Sequence, residues 1–500
     1  MNAPTRKRVV VAGGGTAGWI AATAIIRQLT GLVDVTLVES DEIGTVGVGE
    51  STIPTIRTFH EFIGVAEDDF IRATNATFKL GISFENWGRI DDRYFHPFGS
   101  VGRSTFVADF QHFWLEARKR GFGGDYGDYS LEQHAAMAGR FAAAGDASLA
   151  YAYHLDATAY VRFLRGVAEQ AGARRVEGRI VSVEQHAESG DIAALVLESG
   201  TRVEGDLFID CTGFGALLIE QTLKTGFDDW SHWLPTDRAF AVQSEATSEP
   251  VPYTRAIAHG EGWRWRIPLQ HRAGNGIVYS SAFLSDDEAR DRLVDALDGP
   301  ALFEPRLLRF TAGMRKRVWN RNCISLGLAS GFVEPLESTS IHLVMIAVTW
   351  LIQNFPFGPD NTAVAEWFNA RSRHEWEHVR DFIVLHYAAT ERDDTAFWRA
   401  RAEAGIPDSL AARIELFREA AIAYQGQDDL FRVDSWVSVL IGQGLMPRAH
   451  HLLPATLPPQ QLQGALGDLR RNIAGAVGQM PSHAQRLAQI ANAARIRETI

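Results

Sequence analysis

Gly13, Gly15 and Gly18 stand in the spacing G-x-G-x-x-G directly after the apolar run Val9-Val10-Val11-Ala12. Glu39 follows Gly18 by 21 positions, at the end of a second apolar run over 33–38. This combination can hold a dinucleotide. Gly13 permits a sharp turn, Gly15 lets a pyrophosphate approach the backbone, and Gly18 lets a helix pack close to the strand. A helix opening at Thr16 and Ala17 offers unpaired N–H groups and a positive dipole end to the phosphates. Glu39 can accept hydrogen bonds from an adenosine ribose. A second anion site is readable near residue 340. Ser338 is a candidate N-cap before the apolar run that begins at Ile341, which leaves the N–H groups of Thr339 and Ser340 for an anion or for water.

The elements that position these groups follow from hydrophobic patterning. Residues 8–40 read as a β-α-β unit. A glycine-rich loop, Val46-Gly47-Val48-Gly49-Glu50-Ser51-Thr52-Ile53-Pro54, comes next. The pattern predicts helices over 55–80, 106–145 and 151–172, with a loop-rich aromatic stretch at 85–105. Short apolar runs at 181–183, 194–197 and 201–203, parted by Gly190-Asp191 and Ser199-Gly200, predict a hairpin meander. The run 207–212 predicts a buried strand that rejoins the first sheet. Strands are expected over 235–283, with turns at 260–262 and 274–276, and two more over 306–330. Beyond 340 the pattern is mostly helical.

The chain has 500 residues, 46% of them hydrophobic, and a net charge of −12, which argues against a nucleic-acid partner. Cys211 and Cys323 sit in strand-like runs and are expected as buried thiols. Arg6, Lys7 and Arg8 before a short apolar run are not expected to act as a signal peptide, because the run empties into the glycine loop. The stretch 343–355 is too short to span a bilayer. A cytoplasmic protein is expected. Helices and a meander interrupt the return to the first sheet, and no second G-x-G-x-x-G offers a nicotinamide site. This layout favours FAD over NAD.

Four segments converge on one resemblance: the loop Gly47–Pro54, Phe78-Lys79-Leu80-Gly81, Trp263-Arg264-Trp265-Arg266-Ile267-Pro268, and 331–340 with Pro335-Leu336-Glu337-Ser338-Thr339. Together they resemble the flavin-dependent tryptophan halogenases. The resemblance implies an α/β fold with α+β insertions: a Rossmann-like FAD module, an antiparallel substrate region and a mostly helical C-terminal module packed on it. The expected core covers 1–355, with its nucleotide unit at 5–54 and strand-rich middle at 175–330. The helical module, 356–500, would complete the substrate site.

The implied chemistry is electrophilic halogenation. Reduced FAD, supplied by a separate NAD(P)H flavin reductase, reacts with oxygen and halide to give hypohalous acid. That oxidant travels through a tunnel to Lys79 and Glu337. The lysine polarises it or forms a haloamine, and the carboxylate takes the ring proton. Taken alone, Lys79 reads as a surface lysine and Glu337 as a helix-start carboxylate. The resemblance also implies FAD contacts at Ser40, Val48, Glu50, Val181, Leu328 and Ile341, halide at Thr339 and Ser340, and substrate contacts at His96, Phe98, Trp263, Trp265 and Leu336. No metal is called for.

Relatives often have glycine at the place of Ser340, so halide choice is open, and bromide is the expected preference. The tyrosine pair that clamps free tryptophan is missing near 432–440, so the expected substrate is an indole-type aromatic not restricted to free tryptophan. Monomer and homodimer both fit. An FAD monooxygenase and a non-catalytic flavin-binding protein are the alternatives.

Overall fold

The computed structural model describes residues 6–43, 49–143 and 149–497. Lys7–Ala12 forms the central strand of a six-stranded sheet. Val33–Glu39 pairs with it in parallel on one side and Leu207–Asp210 on the other. The strand at 207–210 therefore returns to the first sheet, as its uninterrupted apolar run predicts. Cys323–Ser325 extends the sheet, again in parallel. Between the first two strands lies the helix Thr16–Gln28, whose inward face is fully buried.

A second sheet has seven strands. It runs from Arg306–Arg309 through the long central strands to Gly81–Glu85 and Arg93–Pro97 at the other edge. The edge strand at 93–97 corrects the loop expected over 85–105. The meander at 180–204 is antiparallel, with left-handed glycines at both predicted turns. The turn expected at 274–276 is instead strand: Arg272–Tyr279 is continuous. Its glycines serve close approach, since a Cβ on Gly276 would lie 2.1 Å from the Trp265 ring.

The helix predicted over 55–80 stops early. Helices Thr55–Phe62 and Glu67–Thr74 are followed by Asn75 at φ 50°. That left-handed residue ends the helix, and Thr77–Lys79 becomes a strand. It pairs with Ala152–Leu155, which pairs in turn with Glu50–Ser51. The helix expected over 151–172 thus begins only at Ala157. Between 106 and 143 there are two helices, Phe110–Lys119 and Leu131–Met137, parted by a 3-10 turn. Beyond 340 the fold is helical, led by Ser340–Gln353 and the 27-residue Thr362–Ala388. One hydrophobic cluster runs from Val9 to Ile490 and crosses position 355 without a break. Among the described residues no helix is long and apolar enough to cross a membrane.

Candidate active site

A cavity of about 600 Å³ opens between the two large sheets. One end is the glycine turn. Gly13 has φ 105°, and a Cβ there would meet the Cys211 carbonyl at 2.3 Å, so only glycine fits. A Cβ on Gly18 would lie 1.9 Å from the Gly13 carbonyl; the helix packs that closely. Gly15 faces open space, where a phosphate could approach the start of the Thr16–Gln28 helix. Thr16, Ala17, Glu39 and Ser40 line this end. Glu39 Oε1 accepts from Arg175 Nε at 2.6 Å, and Trp19 Nε1 donates to Oε2 at 3.4 Å. Arg175 was not legible in the sequence, because it arrives from a strand whose pairing fixes it. A glycine cradle, a helix start and an anchored carboxylate fit a dinucleotide such as FAD.

The other end is aromatic. Trp263 and Trp265 share one strand face and both line the cavity, with ring centroids 5.9 Å apart. Trp263 Nε1 donates to Glu334, which also accepts from Tyr387 Oη. Leu336, expected at the substrate, and Leu328 and Ile341, expected at FAD, all line this same cavity. Glu50 faces it too, and burial pushes its carboxyl up to about 7. Val181 is 55% exposed and points away, while its neighbour Ile180 lines the cavity. Val48 lies outside the described residues. Cys211 and Cys323 are buried free thiols, and burial pushes both up.

Behind the cavity wall sits the second constellation. Lys79 is fully buried, not on the surface. Its Nζ donates to the Thr52 carbonyl at 3.1 Å and to Ser338 Oγ at 2.9 Å. It also lies 5.0 Å from the centroid of the Phe98 ring. Burial lowers its pKa to about 7, with the Glu337 charge opposing. Ser338 corrects the expected N-cap. It has φ 60°, and the helix starts after Thr339 without a side-chain cap. Its hydroxyl is turned to Lys79 instead, and Ser338 itself is part of the cavity wall.

Glu337 is held by two imidazoles. His96 Nδ1 lies 2.9 Å from Oε2 and His386 Nε2 lies 2.8 Å from Oε1. Burial works against its charge, but the attraction of His96 and the hydrogen bonds from both rings hold it down at about 2. His386 Nδ1 lies 2.9 Å from Tyr94 Oη, and Gln443 Nε2 donates to that same hydroxyl. His386 sits 49 residues from Glu337 on a helix that shows no motif, so no local sequence signal could have found it. A buried aromatic group adjoins this pair. Phe382 stacks on Phe431 at 3.7 Å, Trp436 meets Phe382 edge-on, and His96 lies 5.6 Å from Phe382.

At the start of the helix Ser340–Gln353, the N–H groups of Thr339 and Ser340 have no acceptor among the described residues. Thr339 Oγ1 is buried without a partner, and Ser340 lines the cavity. An anion there would meet oriented donors and a helix dipole. Among the described residues no group of histidines, cysteines and carboxylates could hold a metal.

Comparison with known proteins places the chain in a family. The family model described as tryptophan halogenase matches residues 8–459. The chain is 34% identical to tryptophan 7-halogenase RebH of Lentzea aerocolonigenes, over 93% of this chain and 96% of that protein. Among solved structures it resembles Xcc4156, a flavin-dependent halogenase from Xanthomonas campestris, at TM-score 0.95 and 52% identity, over 97% of this chain and 98% of that one. It also resembles BrvH, a flavin-dependent halogenase from Brevundimonas sp. BAL3, at TM-score 0.93 and 42% identity, over 97% and 99%. With the family model matching residues 8–459 and these relatives covered over nearly their whole length, the chain belongs to the tryptophan halogenase family and is an FAD-dependent halogenase.

Proposed function

We propose that this enzyme halogenates an indole-type aromatic ring beside Lys79 and Glu337, accepts more than free tryptophan, and favours bromide. The observation that carries the reading is the position of Ser338, which lines the large cavity and accepts a hydrogen bond from Lys79. Gly13, Gly15, Thr16, Gly18, Glu39 and Ser40 would hold the nucleotide half of FAD, and the aromatic end would take the flavin ring. When bound and reduced, FAD supplies the electrons with which oxygen converts halide to hypohalous acid. A diffusing NAD(P)H flavin reductase in the cytoplasm would provide it.

The chain's own groups do the rest. Thr339 and Ser340 present N–H donors to the halide. Trp263 and Trp265 keep water and substrate away from the flavin end. The Lys79 amine, low in pKa and fixed by Thr52 and Ser338, receives the oxidant and holds it over the ring. Glu337, ionised and oriented by His96 and His386, takes the proton from the substituted carbon. Fixing both groups beside a bound ring directs an otherwise indiscriminate electrophile. Phe98 and His96 would flank the substrate.

The test is product analysis. The enzyme is given FAD, a generic flavin reductase, oxygen, indole or tryptophan, and bromide with chloride. Halogenated indole, substituted at its most nucleophilic carbon and absent with Lys79→Ala, is the expected result. Hydroxylated product in either protein would show a monooxygenase instead, and no product from any ring would show a flavin carrier.

A further inference from the structure

A chain of four buried side chains leads from the large cavity into the protein. Ser51 Oγ lies 2.9 Å from Thr254 Oγ1, which lies 2.9 Å from His154 Nε2. His154 Nδ1 lies 3.0 Å from Thr77 Oγ1, and Thr77 Oγ1 donates to the Pro268 carbonyl at 2.7 Å. Ser51 and Thr254 line the cavity, whereas His154 and Thr77 lie behind it, and none of the four is more than 8% exposed.

The direction of every proton follows from the far end. A carbonyl only accepts, so the single Thr77 hydroxyl proton goes to Pro268. Thr77 Oγ1 must then accept from His154, which fixes the imidazole proton on Nδ1. Burial keeps the ring neutral by lowering its pKa, so Nε2 carries only a lone pair. Nε2 therefore accepts from Thr254, and Thr254 accepts from Ser51. The one Ser51 proton is thereby spent inside the protein.

We propose that His154 is a positioning residue that makes Ser51 an acceptor only, set to receive an N–H of the flavin ring. The assignment rests on the FAD reading of the cavity. Ser51 stands at the ring end: Thr254 beside it shares its strand and cavity wall with Ala256, and Ile267 and Trp265 line the wall next to them. The ring has two candidate donors. N3–H is present in both oxidation states, and N5–H exists only after reduction.

Two measurements test this. First, FAD-free protein labelled with 15N-histidine is compared with His154→Gln to assign the ring. A protonated Nδ1 and a bare Nε2 are expected; the opposite tautomer or an imidazolium overturns the proposal. This result does not depend on FAD. Second, binding of oxidised and reduced FAD is titrated for wild type, Ser51→Ala, Thr77→Val and the double variant. Thr77 does not line the cavity, yet Thr77→Val should weaken binding by roughly three- to tenfold, as Ser51→Ala does. The double variant should be no weaker than either single one. A loss confined to reduced FAD identifies N5–H, and an equal loss in both states identifies N3–H. Wild-type affinity in Thr77→Val, or additive losses, overturns the proposal. If Thr77→Val does not fold, Thr77→Ser, which preserves the polarity, is set beside His154→Phe: retained affinity in the first with loss in the second is expected, and equal behaviour overturns it. Wild type that binds no FAD in either state would fail the cavity reading itself, whatever the tautomer.

Discussion

Lys79 Nζ and Ser338 Oγ are 2.9 Å apart, and Ser338 is at once the lysine's acceptor and a piece of the large cavity's wall. One left-handed residue thus stands between the large cavity and the amine.

Lys79→Ala should keep FAD affinity within about twofold and lose halogenated product by at least about 100-fold. Lys79 lies outside the cavity wall, so the flavin should still consume oxygen. Product mass spectrometry together with a flavin titration checks both halves. Unchanged product would remove the lysine from the chemistry.

Lys79 also weighs on stability. Its folded pKa of about 7 lies below the 10.5 of an ordinary lysine. Between those values the unfolded chain binds more protons, so native stability rises with pH across that window. Below about 7 the whole burial cost is carried. Lys79→Met should therefore stabilise the protein at pH 7 by a few kcal/mol, on the order of 3, and this advantage should shrink toward pH 10. Denaturant melts at several pH values measure it.

His386→Phe removes one of the two imidazoles that hold Glu337 near 2. Burial then pushes the carboxyl up. Its ionised form should be lost as pH falls through the new, higher value, moving the acid limb of kcat/KM upward. A roughly tenfold or larger drop in kcat at neutral pH is expected. An unmoved acid limb would show that His386 only fills space.

Ser340→Gly opens the helix start that carries the free N–H groups. In a mixture of equal chloride and bromide, wild type should give mainly brominated product, and Ser340→Gly should raise the chlorinated fraction. Mass spectrometry of one reaction reads both ions. An excess of chlorinated product from wild type would reject the bromide preference.

Gly18→Ala should abolish FAD binding or weaken it more than tenfold, because its Cβ would sit 1.9 Å from the Gly13 carbonyl. Gly166→Ala is the control. It lies in the helix Ala157–Gln170 with open space around it. That change should stabilise by about 0.5–1 kcal/mol and leave FAD affinity unchanged.

Much of this architecture was legible because it is written locally. The glycine turn, its strand and helix, and the return strand at 207–210 each follow from a contiguous pattern. Lys79 was legible as a residue but not as an element. A helix period carried through 75–80 in the sequence, and only Asn75 in the left-handed region broke it. Ser338 reads as a cap from its neighbours alone, yet its hydroxyl turns to a lysine 259 positions away. His386, Arg175 and Gln443 were missed for the same reason: they reach the site through long-range packing, which no window of sequence contains. The glycines at 274 and 276 read as a turn by type, yet the Trp265 ring and the neighbouring backbone at Gly49 decide their place.

The helix Thr362–Ala388 is about 40 Å long. Trp376 on it borders the large cavity, while the consecutive residues His386 and Tyr387 grip Glu337 and Glu334. A single rigid rod therefore leans on both rooms of the enzyme. A change in the tilt of that one helix would reach the large cavity and both carboxylates together.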